Sequence, residues 1–298
     1  MSSFDQPMFH DDEAARLYLE GLRWPEGPVC PHCGTIGEAT RLQGAKHRPG
    51  VWKCNACRKQ FTVTVGTVFE KSKVPLHKWL LATYLLCASK KGMSSHQLHR
   101  MLGVTYKTAW FMTHRIREAM SAGTLVSPLG GGGGIVEVDE TYWGSEPERE
   151  MKRGGTQHKM KIVSLVERDG RARSFHVETV NAKTLKPMLA LHILQNSRIM
   201  TDEAPWYPAA TKLHYNHDSV QHRAGEYSRG IVSTNTVEGF FSIMKRGLIG
   251  TYHHVGSQHL GAYLNEFDFR YNGRELTDGE RTALALKGIA GKRLVYKN

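Results

Sequence analysis

Two sets of side chains carry types and spacings suited to chemistry. The first is four cysteines in two pairs, Cys30-x2-Cys33 and Cys54-x2-Cys57, with 20 residues between the pairs. Each pair forms a tight knuckle that presents two thiolates, and two knuckles together complete one tetrahedral ion site. Pro31 and Gly34 suit the turn of the first knuckle, and Trp52 and Phe61 can pack around the small core beside it. Four thiolates leave no open position for a substrate, so the spacing predicts structural zinc. The fifth cysteine, Cys87, lies in an apolar helical pattern and is read as a core residue.

The second set is acidic. Asp139 closes the strand-like run Ile135-Val136-Glu137-Val138-Asp139, and Asp202 follows the apolar Ile199-Met200. Both stand where open α/β sheets place ligands, at the carboxyl ends of strands. Asn235 and Glu238, in Thr-Asn-Thr-Val-Glu, open a helical pattern, where they also read as a capping box. Two converging carboxylates with a third oxygen donor suit hard divalent cations. A pair of Mg²⁺ ions (Mn²⁺ being the natural substitute) can activate a water or a 3′-hydroxyl on one side of a phosphodiester and stabilise the leaving oxygen on the other. His217, His222 and Glu226 lack a convincing ligand spacing and are read as supporting residues.

These side chains need elements to position them. A short helix after Asp11 and Asp12 precedes the cysteine pairs, and Phe61–Val68 (FTVTVGTV) has β-type composition. Helical spacing predicts helices over Leu76–Cys87, Ser94–Met101 and Thr105–Met120, with a turn at Leu102-Gly103-Val104. The last two resemble a helix-turn-helix. Tyr106, Lys107 and Thr108 would meet base edges, and Arg115 and Arg117 would reach phosphates. Five consecutive glycines, Gly130–Gly134, read as a linker. Beyond it, strands are expected over Ile135–Tyr142, Lys161–Glu167, Ser174–Val180 and Arg198–Thr201, with one or two more in Val220–Val232. Helices are expected over Thr184–Leu194, Trp206–Lys212, Asn235–Leu248 and Gln258–Tyr271. That order describes a mixed α/β layer fold around one sheet. The expected domains are a helix and zinc ribbon over 1–70, a helical DNA-binding region over 71–128, a linker over 129–134 and a catalytic domain over 135–298.

Composition sets the partner. Among 298 residues, 40 Lys and Arg stand against 28 Asp and Glu, a net charge of +12, which favours a polyanion. The longest apolar run, around Trp79–Ala88, is far short of the ~20 residues of a membrane helix. The N-terminus has neither the basic nor the apolar region of a secretory signal. A cytosolic protein associated with the nucleoid, without a membrane partner, is expected.

The motifs, in order, resemble transposases of the IS1595 type with an ISXO2-like transposase domain. The ribbon part of the resemblance runs through Arg23-Trp24-Pro25, Cys30-Pro31-His32-Cys33-Gly34, Trp52-Lys53-Cys54, Cys57, Phe61, Gly66-Thr67 and Phe69. The second part runs through Val136–Tyr142, Thr201-Asp202, Tyr207, Gly225-Glu226-Tyr227, Thr234–Phe241, Lys245-Arg246, Gly250–His254, Tyr263–Phe267 and Arg270-Tyr271-Asn272. The resemblance implies an RNase H-like fold and a DDE-type recombinase. Asp139 and Asp202 match the two family aspartates. The third position falls on Asn235 or Glu238. Some family members carry Asn there, whereas 35 residues separate Asp202 from Glu238 and Lys245 lies seven beyond Glu238, both similar to many DDE enzymes. Lys245 and Arg246 are expected to hold the DNA backbone, and His253 and His254 to contact phosphate or order the site. The implied partners are double-stranded DNA, as terminal inverted repeats and target, and a second copy of the chain or more on that DNA. Two other readings remain open: a zinc-ribbon DNA-binding regulator without catalysis, and an RNase H-like nuclease on another nucleic acid.

Overall fold

Side-chain caps open three helices of the N-terminal half. In the computed structural model, which describes residues 3–44, 46–121, 123, 127–146, 155–212 and 216–294, Asp11 accepts the Ala14 amide and starts α1 (Asp12–Arg23). A three-stranded antiparallel ribbon follows: β1 (Ala39–Arg41), β2 (Trp52–Cys54) and β3 (Gln60–Phe61). The β-type run Phe61–Val68 is strand only at Phe61. After it the chain turns: Val65 N donates to Thr62 O, the Thr67 hydroxyl donates to Thr64 O, and Gly66 takes φ +71°. Threonine bonds to nearby backbone compete with a strand ladder, and here they win.

Three helices come next: α2 (Leu76–Ala88), α3 (Ser95–Leu102) and α4 (Tyr106–Met120). Ser94 caps α3 and Thr105 caps α4, each through the amide three residues on. Gly103 turns the chain between them at φ +60°. α2 buries Trp79, Leu80, Thr83, Leu86 and Cys87, so Cys87 is the expected core residue.

The second half builds one sheet. Its elements are β4 (Ile135–Trp143), β5 (Met160–Glu167), β6 (Ala172–Val177), α5 (Ala182–His192), β7 (Arg198–Thr201), α6 (Tyr207–Thr211), β8 (Asn216–Ser219), the hairpin β9 (Ser228–Arg229) and β10 (Val232–Ser233), α7 (Asn235–Gly247) and α8 (Ser257–Asn272). The order is β6-β5-β4-β7-β8, with β4, β5 and β6 antiparallel and β7 and β8 parallel to β4. This is the RNase H-like arrangement. One face packs Val136, Val138, Val163 and Leu165 against Leu185 and Leu189 of α5 and Tyr207 of α6. The other packs Ile162 and Val166 against Phe240 and Met244 of α7 and Leu264 of α8. β5 is buried along nearly its whole length, as a strand covered on both faces must be. The short parallel strand β8 (Asn-His-Asp-Ser) was not expected, because a polar edge strand leaves no hydrophobic alternation to read.

The chain divides into two compact units, Ala122–Glu275 and Met1–Ser121 with Leu276–Asn298. The last helix, α9 (Asp278–Lys287), starts at a capping box of Thr277 and Glu280 and belongs to the first unit. There it packs on α2, and the Arg281 guanidinium donates to Cys87 O. The expected catalytic domain over 135–298 had included this helix.

The glycine run is not a slack linker. Gly130 N donates to Glu167 Oε1, and Ser197 Oγ donates to Gly130 O. Gly130 has φ +82°, and a Cβ there would fall 2.0 Å from Ser197 Oγ. The glycines thus form a tight turn docked on the second unit, and Arg198 N bonds Gly134 O as β7 starts beside β4.

Candidate functional site

The four cysteine sulfurs converge. Cys30 Sγ lies 3.7 Å from Cys57 Sγ, and Cys33 Sγ lies 3.6 Å from Cys54 Sγ. A tetrahedron with ~2.3 Å zinc–sulfur bonds has edges of ~3.8 Å, so the donors fit zinc without rearrangement. Each knuckle closes with a positive-φ residue: Gly34 N bonds Cys30 O, and Arg58 N bonds Cys54 O. Trp24 packs edge-on against Trp52 and Phe61 beside the site. All four donors are cysteines, which leaves no open position for a substrate, so a zinc held here would be structural.

The acidic residues meet in the second unit. β4 and β7 run parallel with Glu137 opposite Met200, so Asp139 and Asp202 both lie two residues beyond that pair. Asp139, Glu140 and Asp202 each place a carboxylate oxygen within 4.8 Å of the others. Burial, then the charges of Glu140 and Asp202, push the Asp139 carboxyl up to about 8. Burial also raises Glu140 and Asp202. Three carboxylates that resist ionising together are a donor set for a hard cation, whose charge removes their repulsion.

Glu140 is a member the sequence reading missed. Strand alternation sends it to the face opposite Asp139, and it reads as an outside residue. That face is covered by α6, and the Tyr207 hydroxyl donates to Glu140 Oε2 at 2.6 Å. The visible signal was an acid directly beside Asp139 in sequence.

Glu238 stands outside this group of three, in the first turn of α7. Its Oε1 accepts the Thr234 hydroxyl at 2.8 Å and lies 3.7 Å from His222 Nε2. Its charge still contributes to raising Asp139. Asn235 is the exposed first residue of α7. The expected capping box does not form, because Thr234 holds the N-cap position. The orphan amides are capped from the sheet instead. Buried Glu137 accepts Thr236 N at 2.7 Å and Val237 N at 3.0 Å on Oε2, and Thr236 Oγ1 and Arg168 Nε on Oε1. Glu137 precedes Asp139 by two residues on the same face of β4.

The expected DNA contacts divide into exposed and buried sets. Lys245 is half-buried and Arg246 exposed near the end of α7, and His253 and His254 are exposed after it. Tyr106 and Lys107 are exposed at the start of α4, the Tyr106 ring stacked on His96 at 4.2 Å, and half-buried Thr108 bonds Thr105. Arg115 and Arg117 are buried and do not face solvent for a phosphate. The Arg115 guanidinium lies over the Phe111 ring and donates to Glu70 O, and Arg117 donates to the Thr113 hydroxyl. Two residues apart, they point to opposite sides of α4, and both sides are covered there. His217 bonds the Thr201 hydroxyl, and among the described residues it forms no metal cluster with His222 and Glu226.

Residues 131–272 match the model of the ISXO2-like transposase domain, and residues 10–60 match that of the transposase zinc-ribbon domain. A Halobacterium salinarum protein described as an uncharacterized protein in transposable element ISH50 is 30% identical over 278 residues, covering 88% of this chain and 91% of that one. The chain belongs to the IS1595 family of insertion-sequence transposases, with its zinc ribbon at the N-terminal side. The crystal structure of a pre-cleavage Mos1 transpososome is 12% identical, covering 63% of this chain and 75% of that chain, at a TM-score of 0.18. Among the described residues no helix is long and apolar enough to cross a membrane.

Proposed function

We propose that this chain cuts DNA at the ends of its insertion element and joins those ends to a target, through the carboxylates of the second unit. The observation that carries this reading is the convergence of Asp139, within β4, and Asp202, just beyond the end of the neighbouring parallel strand β7, with Glu140 beside them. Asp139 and Asp202, with Glu238 or Asn235 from α7, would hold two Mg²⁺ ions or Mn²⁺. Such ions activate the attacking oxygen and stabilise the leaving one when bound. The protein's own part is positioning. Glu137 anchors the start of α7 to β4, which brings Glu238 to the Asp139 side of the sheet. The Tyr207 hydroxyl fixes Glu140. Lys245, seven residues after Glu238, lies on the same side of α7 and would hold a backbone phosphate, with Arg246 beyond it and His253 and His254 contacting the flanking DNA.

In the first unit, the ribbon and the α3–α4 pair would read the terminal inverted repeats, with Tyr106, Lys107 and Thr108 at the base edges. Pairing two ends calls for at least a dimer on DNA. The working compartment is then the cytosol, at the nucleoid. Purified chain mixed with duplexes from the element's own ends should nick them when Mg²⁺ is added and leave them intact in chelator. Sequence-specific binding without nicking under any divalent metal would instead support a DNA-binding regulator, and preference for an RNA–DNA hybrid would support a nuclease of another kind.

A further inference from the structure

A second surface lies beside the carboxylates. Between β8 and α7 the chain makes a short helical turn, His222–Ala224, and then the β9–β10 hairpin. Tyr227 enters that hairpin 63% exposed. Its ring lies against the His222 imidazole, with centroids 5.2 Å apart and planes 34° apart. The His222 Nε2 in turn lies 3.7 Å from Glu238 Oε1. An open aromatic face therefore stands one imidazole away from the carboxylate of α7.

The surface is held rigidly although its strands are only two residues long. A hairpin of that size is not stable alone. Glu203 accepts the amides of His222 and Arg223, at 2.8 and 3.2 Å. Arg168, anchored on Glu137, donates to Ile231 O at 2.6 Å and to Ser233 O at 3.1 Å. Arg229 donates to Ser219 O at 3.2 Å. Gly230 supplies the turn at φ +60°.

Two guanidiniums stand beside it. The side chains of Arg223 and Arg229 are 93% and 61% exposed. Each faces one carboxylate, Glu203 at 3.6 Å and Glu226 at 3.5 Å. Exposed pairs of this kind are weak, so both guanidiniums stay open to a phosphate. A fixed aromatic face flanked by guanidiniums suits a ligand with its own π-face and a nearby phosphate, which is an unpaired nucleotide.

We propose that Tyr227, backed by His222, is a stacking platform for one unpaired nucleobase of the strand held at the carboxylate site. The proposal rests on the reading of that site as one that acts on DNA. Opening a duplex at the cut costs unstacking energy, and a base received on Tyr227 offsets part of it. Stacking of this kind tolerates any base, so the platform adds grip without sequence preference.

The test uses the full chain in chelator and a thymidine oligonucleotide of about 12 residues carrying one central 2-aminopurine. Binding is read by anisotropy and stacking by quenching of the 2-aminopurine. Wild type is expected to bind and quench. Tyr227→Ala should bind roughly 5- to 150-fold more weakly and lose most of the quenching, the loss expected for one stacked base. Tyr227→Trp should restore both. Wild-type binding and quenching by Tyr227→Ala would overturn the proposal, and so would failure of Tyr227→Trp to restore them. A parallel cleavage assay separates the two claims. Quenching that needs Tyr227 in a chain that never cuts DNA would support the platform and sink the catalytic reading. Normal cutting with a fully quenching Tyr227→Ala would sink the platform alone.

Discussion

Glu137 and Val237 are joined across 100 residues of sequence: the Glu137 carboxylate accepts the Val237 amide at 3.0 Å. The same carboxylate accepts Thr236 N, Thr236 Oγ1 and Arg168 Nε. A buried strand residue thereby does the work of a helix cap, where the negative charge also meets the positive end of the α7 dipole. The cap sits two residues from Asp139, and the helix it starts carries Asn235, Glu238 and Lys245. One fully buried carboxylate thus ties the sheet part of the site to its helical part.

Glu137→Ala should destabilise the second unit by about 3–5 kcal/mol, because Arg168 and two helix amides lose their partner inside the protein. Glu137→Gln should cost less, since its amide oxygen still accepts. Urea unfolding followed by tryptophan fluorescence measures both. Equal, small losses would show that the cap is dispensable.

The Asp139 carboxyl, raised to about 8 mainly by burial, makes a signed prediction. A raised acid binds more protons folded than unfolded between about pH 4 and 8, so its contribution to metal-free stability falls as pH rises through that window. Asp139→Asn removes this cost. At neutral pH the variant should melt higher than the metal-free wild type yet gain nothing from Mg²⁺, whereas wild type gains stability from Mg²⁺, and more so as pH rises toward 8. Calorimetry with and without Mg²⁺ at several pH values checks it, and a lower melting temperature for Asp139→Asn in chelator would contradict it.

The ribbon should depend on its metal. Metal analysis of the purified chain should find one zinc per chain, and Cys54→Ser should lower zinc affinity and unfold the ribbon locally, with the sheet of the second unit intact. Proteolysis of the variant should begin within residues 24–61. Full zinc occupancy in the variant would exclude Cys54 as a ligand.

Gly130→Ala is expected to cost about 1–3 kcal/mol or more, from a left-handed backbone and a clash with Ser197 Oγ. A true linker would accept alanine at no cost, so the thermal shift of this single variant distinguishes the two structures.

The cysteines and aspartates that the structure brings together were legible in the sequence, and the contacts that position them were not. The knuckle spacing of Cys30, Cys33, Cys54 and Cys57 is local and led directly to the zinc centre. Asp139 and Asp202 could be singled out because each follows an apolar run, although β4 continues past Asp139 to Trp143. The alternation of strands and helices led to a mixed α/β layer fold around one sheet, and the family resemblance supplied its RNase H-like order. Long-range relations left no comparable trace. Glu137 reads as a polar interruption of a strand until Val237 is placed opposite it. Glu140 reads as outward until α6 covers it. Arg115 and Arg117 read as phosphate contacts, because a guanidinium buried over Phe111 or bonded to Thr113 has the same letters as an exposed one. The glycines at 130–134 read as flexible because composition cannot show that Ser197 leaves no room for a side chain at Gly130. α9 reads as the end of the second domain because connectivity, unlike packing on α2, is all that sequence order conveys.

The account stands most directly on the single-turnover rate at which the chain cuts duplexes from its own element's ends in Mg²⁺, compared among wild type, Asp139→Ala and Asp202→Ala. The predicted result is cutting by wild type, none detectable by either variant, and unchanged DNA binding in all three. Cutting by both variants at the wild-type rate would contradict the assignment of the site.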